Sequence, residues 1–326
     1  MTKNILVLGG GGYVGSVLVP KLIFYGYKVV VYDLFLYGNY LKSHSNLKII
    51  QGDIRNINKI KTSLTNIDTV IHLACISNDP SFELNPLLSK SINYDCFEPF
   101  VDLSIKAGVN KFIFASSSSV YGIKKEKNVK ETSKLEPLTD YSKYKVECEK
   151  ILISKKTTNF HTTILRPSTV NGYSPRQRLD VVVNIMTNLA FHKKKITVFG
   201  GNQLRPNIYI EDMVRAYLCI LKSPIELISG EIFNVGDENL SVSDIALKVK
   251  DIIHENINIE VTKTDDNRSY HVSSKKINSI LNFDLKYNVS HGIDSLITAF
   301  KKRLLTQTFD NDDYYNIKVL KKIDLK

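Results

Sequence analysis

Short apolar, β-branched runs recur through the first part of the chain, and Gly, Asn or Asp bounds each of them. They read NILVL (Asn4–Leu8), KVVVY (Lys28–Tyr32), LKIIQ (Leu47–Gln51), DTVIHLA (Asp68–Ala74) and KFIFA (Lys111–Ala115). Helix-length segments separate most of them, and near-continuous apolar strands alternating with helices predict an α/β fold: a parallel sheet covered on both faces. After TTILRP (Thr162–Pro167) the pattern loosens into a loop-rich stretch, short strands around ITVF (Ile196–Phe199) and EIFNV (Glu231–Val235), and helices from Glu211 and Ser241. The expected organisation is a doubly wound sheet of about six or seven strands over residues 1–170. A smaller C-terminal domain over 171–326 is expected to be partly interleaved with it.

Composition narrows this only slightly. The 326 residues, 43% hydrophobic and 24% charged, suit an ordinary globular chain. The N-terminal apolar run is cut by four consecutive glycines with no small-residue cleavage site after it, which reads as a soluble, cytoplasmic chain rather than a signal peptide. No stretch approaches the roughly 18 uninterrupted apolar residues of a membrane span. Cys75, Cys96, Cys148 and Cys219 lie far apart and form no CxxC pair, so no metal site or disulfide framework is expected. The net charge of +11 is spread along the chain. Its longest basic runs, Lys193–Lys195 and the Lys318–Lys326 tail, read as solvated faces, and nucleic acid is not an expected partner.

Chemistry enters where NILVL runs straight into Gly9, Gly10, Gly11, Gly12, Tyr13, Val14 and Gly15, ahead of a helical pattern. The glycines allow a tight turn, a backbone that touches a pyrophosphate, and close packing of helix on sheet. The next strand ends in Asp33, where a carboxylate accepts from the adenosine ribose hydroxyls, and no Arg follows to neutralise a 2′-phosphate. This predicts a Rossmann-type site for NAD rather than NADP. Asp53, in QGDI, either receives the adenine amine or caps a helix before Asn56.

KFIFA delivers Ser116, Ser117, Ser118 and Ser119 at its carboxyl end, where open α/β sheets bind ligands. Further on, Tyr141 and Lys145 stand four apart on one helix face, a spacing that lets an ammonium lower a phenol's pKa toward general-base range.

Taken with GDI, HLA (His72–Ala74), SSSSVYG, YSKYK, LRP, RPNIYIED and RSYHVSSKK, these motifs resemble the extended short-chain dehydrogenases/reductases, specifically the nucleotide-sugar epimerases and dehydratases. The resemblance implies that Tyr141 is the catalytic base, that Lys145 holds the nicotinamide ribose and lowers the tyrosine's pKa, and that Ser117 hydrogen-bonds the reacting oxygen. Implied NAD contacts fall on Gly9, Gly12, Tyr13, Val14, Gly15, Asp33, Asp53, Ile54, Leu73, Ala74, Tyr141 and Lys145. For the nucleotide-diphosphate sugar, Ser118 and Ser119 line the pocket, and Ser77 and Asn78 of SNDPS reach the sugar. Arg176, Arg178, Arg205 and Arg268 are the candidate diphosphate ligands, and of these the resemblance singles out Arg205 and Arg268. Thr169 stands where the family usually has Asn, with Asn171 two residues on. The 4,6-dehydratases carry Asp and Glu directly after the catalytic residue, and serine is too weak an acid and base for that elimination. The expected activity is an epimerisation through a 4-keto sugar; a 4-dehydrogenase or a 4-keto reductase uses the same three residues, and a non-catalytic NAD-binding protein is the remaining class. The family's habit of pairing two helices per subunit predicts a homodimer through the patterns at Asn93–Ala107 and Tyr141–Ile153.

Overall fold

The computed structural model describes residues 3–236, 238–264 and 269–323. Twelve strands form among them: β1 (Asn4–Leu8), β2 (Lys28–Asp33), β3 (Leu47–Gln51), β4 (Thr69–His72), β5 (Lys111–Ala115), β6 (His161–Pro167), β7 (Thr169–Asn171), β8 (Lys195–Phe199), β9 (Leu204–Tyr209), β10 (Glu231–Val235), β11 (Glu238–Ser241) and β12 (Asn258–Thr262). Seven of them make one sheet in the order β10-β6-β5-β4-β1-β2-β3. Every pairing in it is parallel. This is the expected doubly wound architecture, and its apolar faces are buried on both sides. One face packs Ile5, Val7, Val31 and Ile113 against the helices Gly15–Phe24 and Ile210–Lys222. The other packs Leu6, Leu8, Phe112 and Phe114 against the helices Phe97–Lys106 and Asp140–Ser154.

The sequence reading placed EIFNV among the short strands of the second domain. It is instead the seventh strand of the main sheet, β10, parallel to β6 with Phe233 opposite Leu165. Isoleucine, Phe and Val on such a run suit a covered sheet edge as well as a small separate sheet, and local pattern does not separate the two. The helix Ile210–Lys222 likewise covers the main sheet, so interleaving reaches well past residue 170. What remains to the C-terminal lobe is a three-stranded sheet (β11-β9-β7), the pair β12-β8, and the helices Val182–Lys193, Val242–Ile253 and Val289–Lys301. Val183, Met186, Ile245, Val249, Val289 and Ile293 fill the core between these helices. No helix among the described residues is long and apolar enough to cross a membrane.

Candidate active site

A cleft of about 570 Å³ opens along the carboxyl ends of the main-sheet strands, between the two lobes. Its floor is the glycine turn after β1. Gly9 has φ +73°, and a Cβ there would stand 2.6 Å from the Ala74 backbone nitrogen. A Cβ on Gly15 would stand 2.5 Å from the Gly10 carbonyl. The helix Gly15–Phe24 that follows has Val14 at its N-cap with no side-chain cap, and Gly15 at its start lines the cleft, so the positive end of the helix dipole faces a place where an anion is stabilised. Asp33 closes β2 beside this turn, accepting from the Gly11 N–H at 2.8 Å and the Phe35 N–H at 2.6 Å. Burial raises its pKa in spite of those bonds.

Ile54, Leu73 and Ala74 line the same half of the cleft, as does Asp53. Arg55 holds the Asp53 carboxylate through Nε at 3.0 Å and Nη2 at 2.6 Å, and more than offsets the effect of burial to lower the Asp53 pKa. Asn56, not Asp53, caps the short helix Ile57–Lys61. Tyr13 turns its phenol away from the glycine turn, donating to the Gly172 carbonyl at 2.6 Å. His72 of the HLA motif is a core residue, ringed by Phe97, Phe100, Phe112 and Phe114, and burial pushes its pKa down to about 3.

The helix carrying Tyr141 and Lys145 starts from a capping box: Thr139 Oγ1 accepts the Ser142 N–H at 3.3 Å, and Ser142 Oγ accepts the Thr139 N–H at 3.2 Å. The Thr139 hydroxyl also donates to the buried Asp79 carboxylate, which moors the start of this helix to the segment after β4. Tyr141 stands beside Ser117 at the end of β5. Ser117 Oγ accepts from the Ser119 hydroxyl at 2.9 Å, and buried Ser118 completes this wall. Lys145 Nζ donates to the Ala115 carbonyl at 2.7 Å and lies 5.8 Å from the Tyr141 ring centroid. Burial, followed by the nearby Cys75 and Asp79, raises the Tyr141 pKa well above its ordinary value, and Arg178 and the Ser117 hydroxyl oppose that rise.

The substrate candidates divide. Thr169, Arg176, Arg178 and Arg205 line the cleft with Ser77 and Asn78. Arg178 pairs with Asp180 at 2.8 Å and reaches Ser77 Oγ at 3.4 Å. Asn78, at φ 71° and ψ 157° in a region ordinarily left to glycine, spends its side-chain oxygen capping the helix Asp79–Phe82. Asn171 departs from expectation. It is fully buried outside the cleft, and its amide donates to the Ile208 carbonyl at 3.0 Å, tying β7 to β9. Arg268 lies outside the described residues.

Sequence reasoning missed Asn316. It begins the helix Asn316–Lys322, two residues ahead of the Lys318–Lys326 tail read as a solvated face, and it is buried and lines the cleft. Its Nδ2 donates to Ser77 Oγ at 3.0 Å and its backbone N–H to Asp180 at 3.0 Å. No sequence signal marks it. Among the described residues no group of His, Cys, Asp and Glu side chains could hold a metal.

The profile of the NAD dependent epimerase/dehydratase family matches residues 5–236. A UDP-glucose 4-epimerase from Lactobacillus helveticus is 29% identical over 76% of this chain and 82% of its own. The human dTDP-D-glucose 4,6-dehydratase is 30% identical over 78% of this chain and 75% of its own. Among solved structures, the UDP-glucuronic acid 4-epimerase from Bacillus cereus, in complex with UDP-glucuronic acid and NAD, superposes with a TM-score of 0.83. It has 28% identity and covers 92% of this chain and 99% of its own. The chain belongs to the NAD-dependent epimerase/dehydratase family, and NAD is its cofactor. The glycine turn fits that group, because its backbone lies bare where any side chain would collide.

Proposed function

We propose that this enzyme is an NAD-dependent nucleotide-sugar epimerase working through a 4-keto intermediate, and that it acts as a soluble cytoplasmic homodimer. The observation that carries the reaction is the state of the carboxylates around Tyr141. Four line the cleft: Asp33, Asp53, Asp79 and Asp180. Backbone amides take up the first, Arg55 the second, Thr139 the third and Arg178 the fourth. The residues following Ser117 are hydroxyls. An elimination needs a free acid and base at carbons 6 and 5, and this wall supplies neither. Oxidation and reduction at one carbon need only the phenol and its hydroxyl neighbour.

In this reading Tyr141 removes the proton from the sugar's 4-hydroxyl while Ser117 hydrogen-bonds the same oxygen. Lys145 holds the nicotinamide ribose. NAD, when bound over the glycine turn, supplies the acceptor for the carbon-4 hydride. The resulting ketone turns over inside the cleft, takes the hydride back on its other face and recovers its proton from Tyr141, with no net redox change. Ser77, Asn78, Ser118, Ser119, Thr169, Arg178 and Arg205 surround the nucleotide sugar.

The test incubates purified enzyme with UDP-, GDP-, CDP- and dTDP-sugars and follows nicotinamide absorbance beside product NMR. Inverted sugar without net NADH is expected; stoichiometric NADH makes the enzyme a dehydrogenase, and NADH consumption makes it a 4-keto reductase. Tyr141→Phe lowers turnover by roughly 100-fold or more, and near-normal activity in that variant defeats the mechanism. Sedimentation at micromolar concentration tests the dimer, which a strict monomer contradicts.

A further inference from the structure

The segment from Gly172 to Arg178 lies directly over the first turn of the glycine-loop helix. Ser174 Oγ donates to the Tyr13 carbonyl at 2.7 Å and stands 2.8 Å from Ser16 Oγ. The Arg176 N–H donates to Ser16 Oγ at 3.3 Å. These bonds carry Arg176 into the part of the cleft that holds Asp33 and Tyr37. There its guanidinium lies 3.8 Å from the centroid of the Tyr37 ring, and Nη2 donates to Asn316 Oδ1 at 2.5 Å.

Arg176 and Arg178 stand two residues apart, but their surroundings differ. Arg178 has Asp180 as its counter-ion. Arg176 is 2% exposed, and among the described residues no carboxylate pairs with it. Asp33 and Asp180 are close enough to feel its charge, yet Asp33 spends its oxygens on two backbone amides and Asp180 on Arg178 and the Asn316 N–H. The Arg176 Nε and the Tyr37 hydroxyl are both buried without a hydrogen-bond partner. Burial, with Arg178 nearby, brings the Arg176 pKa down to about 10. A buried guanidinium with no counter-ion is costly, and the cost is removed when an anion supplies the missing charge and acceptors. Arg matches phosphate oxygens best of all side chains.

We propose that Arg176, with the Tyr37 hydroxyl beside it, is a phosphate ligand for the dinucleotide rather than for the sugar nucleotide, meeting the diphosphate that the glycine turn and the N-terminus of the Gly15–Phe24 helix receive. Asn316 is its positioning residue. The cofactor is thus gripped from both lobes: amides come from the glycine turn and a cation comes across from the segment that also carries Arg178 to the sugar side. The inference is independent of which reaction the enzyme performs.

Calorimetric titration of the nucleotide-free enzyme with adenosine, ADP, NAD, NADP and UDP tests it. Arg176→Gln is expected to weaken ADP and NAD by about 10- to 100-fold, the scale of a lost charge-assisted hydrogen bond, while adenosine and UDP bind as before. Asn316→Ala gives a smaller loss with the same signature, and Arg176→Lys recovers part of it. Weakened UDP with unchanged ADP returns Arg176 to the substrate diphosphate and overturns the proposal. A loss confined to NADP assigns the guanidinium to a 2′-phosphate and also overturns it, as does an equal loss for adenosine and ADP. If Arg176→Gln does not fold, the ADP-to-adenosine affinity ratio of Arg176→Lys decides between the same outcomes.

Discussion

The helix carrying Tyr141 and Lys145 is fastened to the sheet by a buried ion pair, and breaking that pair from either side should destabilise the protein far more than removing it whole. Arg166 on β6 reaches Glu149 on the helix Asp140–Ser154 through Nε at 3.0 Å and Nη2 at 2.6 Å, with both side chains almost fully buried. Ser116 donates to the same carboxylate, and Arg166 Nη1 donates to the Tyr121 hydroxyl at 2.9 Å. Removing one partner of such a pair strands a buried charge and costs about 3–5 kcal/mol, whereas replacing both with apolar groups of similar volume is often near neutral. Unfolding entropy of about 2 cal/mol/K per residue amounts to roughly 0.7 kcal/mol/K over this chain. Glu149→Leu or Arg166→Met alone should therefore lower Tm by about 4–7 °C. The double variant should lose less than either single, because only neutral bonds then go: Ser116 and the Glu131 carbonyl lose their partners, while the Tyr121 hydroxyl still donates to Asn234 at 2.7 Å, and each neutral bond is worth about 1 kcal/mol. Far-UV circular dichroism melts of the four proteins at one scan rate complete the cycle. A double variant whose Tm falls by the sum of the two singles would refute the reasoning.

Arg178→Met removes a positive charge that opposes the rise in the Tyr141 pKa, so the phenol's pKa, already raised by burial, rises further. The rising limb of the kcat/KM profile should move to higher pH by about one unit, Arg178→Lys should restore part of it, and an unmoved limb rules Arg178 out of tuning the base. Gly15→Ala sets a Cβ 2.5 Å from the Gly10 carbonyl, backbone against backbone. It should cost about 1–3 kcal/mol and abolish calorimetric NAD binding, and an intact affinity would show that the turn does not need to be bare. Asp33 should make NAD bind more tightly than NADP, with Asp33→Asn narrowing the ratio by about 10-fold; a tighter NADP constant in the wild type contradicts that role.

The parts of the site legible in the sequence are those built within a single strand-turn-helix unit. The glycine turn after β1, the carboxylate ending β2, the hydroxyls ending β5 and the Tyr141–Lys145 spacing each depend on neighbours a few residues away, so local pattern carries them. The parts that were not legible arise where distant segments meet. Arg176 and Arg178 look alike in PRQRLD, and only the fold sends the first over Tyr37 and the second to Ser77. Asn171, read as a pocket residue from its place near the LR motif, is buried instead on β7, where its side-chain amide donates to the Ile208 carbonyl. Asn316, 239 positions from the Ser77 it holds, follows two tyrosines just ahead of the basic tail and carries no periodicity. EIFNV could lie on any covered sheet edge, and the exposed side of β6 captured it.

The bonds between the glycine turn and the second lobe have a mechanical consequence for how the two ligands communicate. Tyr13 and Ser16 on the first helix are tied to Gly172, Ser174 and Arg176, and Asn184 closes the set by donating to the Tyr13 hydroxyl at 3.0 Å. All of these bonds are buried, so displacing either side leaves polar groups unpaired away from water, at about 1–3 kcal/mol each. The segment that brings Arg178 to Tyr141 therefore cannot shift far without disturbing the turn that receives the dinucleotide. A sugar nucleotide that orders Arg178 should tighten NAD, and by linkage NAD should tighten the sugar nucleotide by the same factor. Measuring each affinity with and without the other ligand tests this: unequal factors would mean the binding scheme is incomplete, and factors of one in both directions would mean that the bridge is only a hinge post.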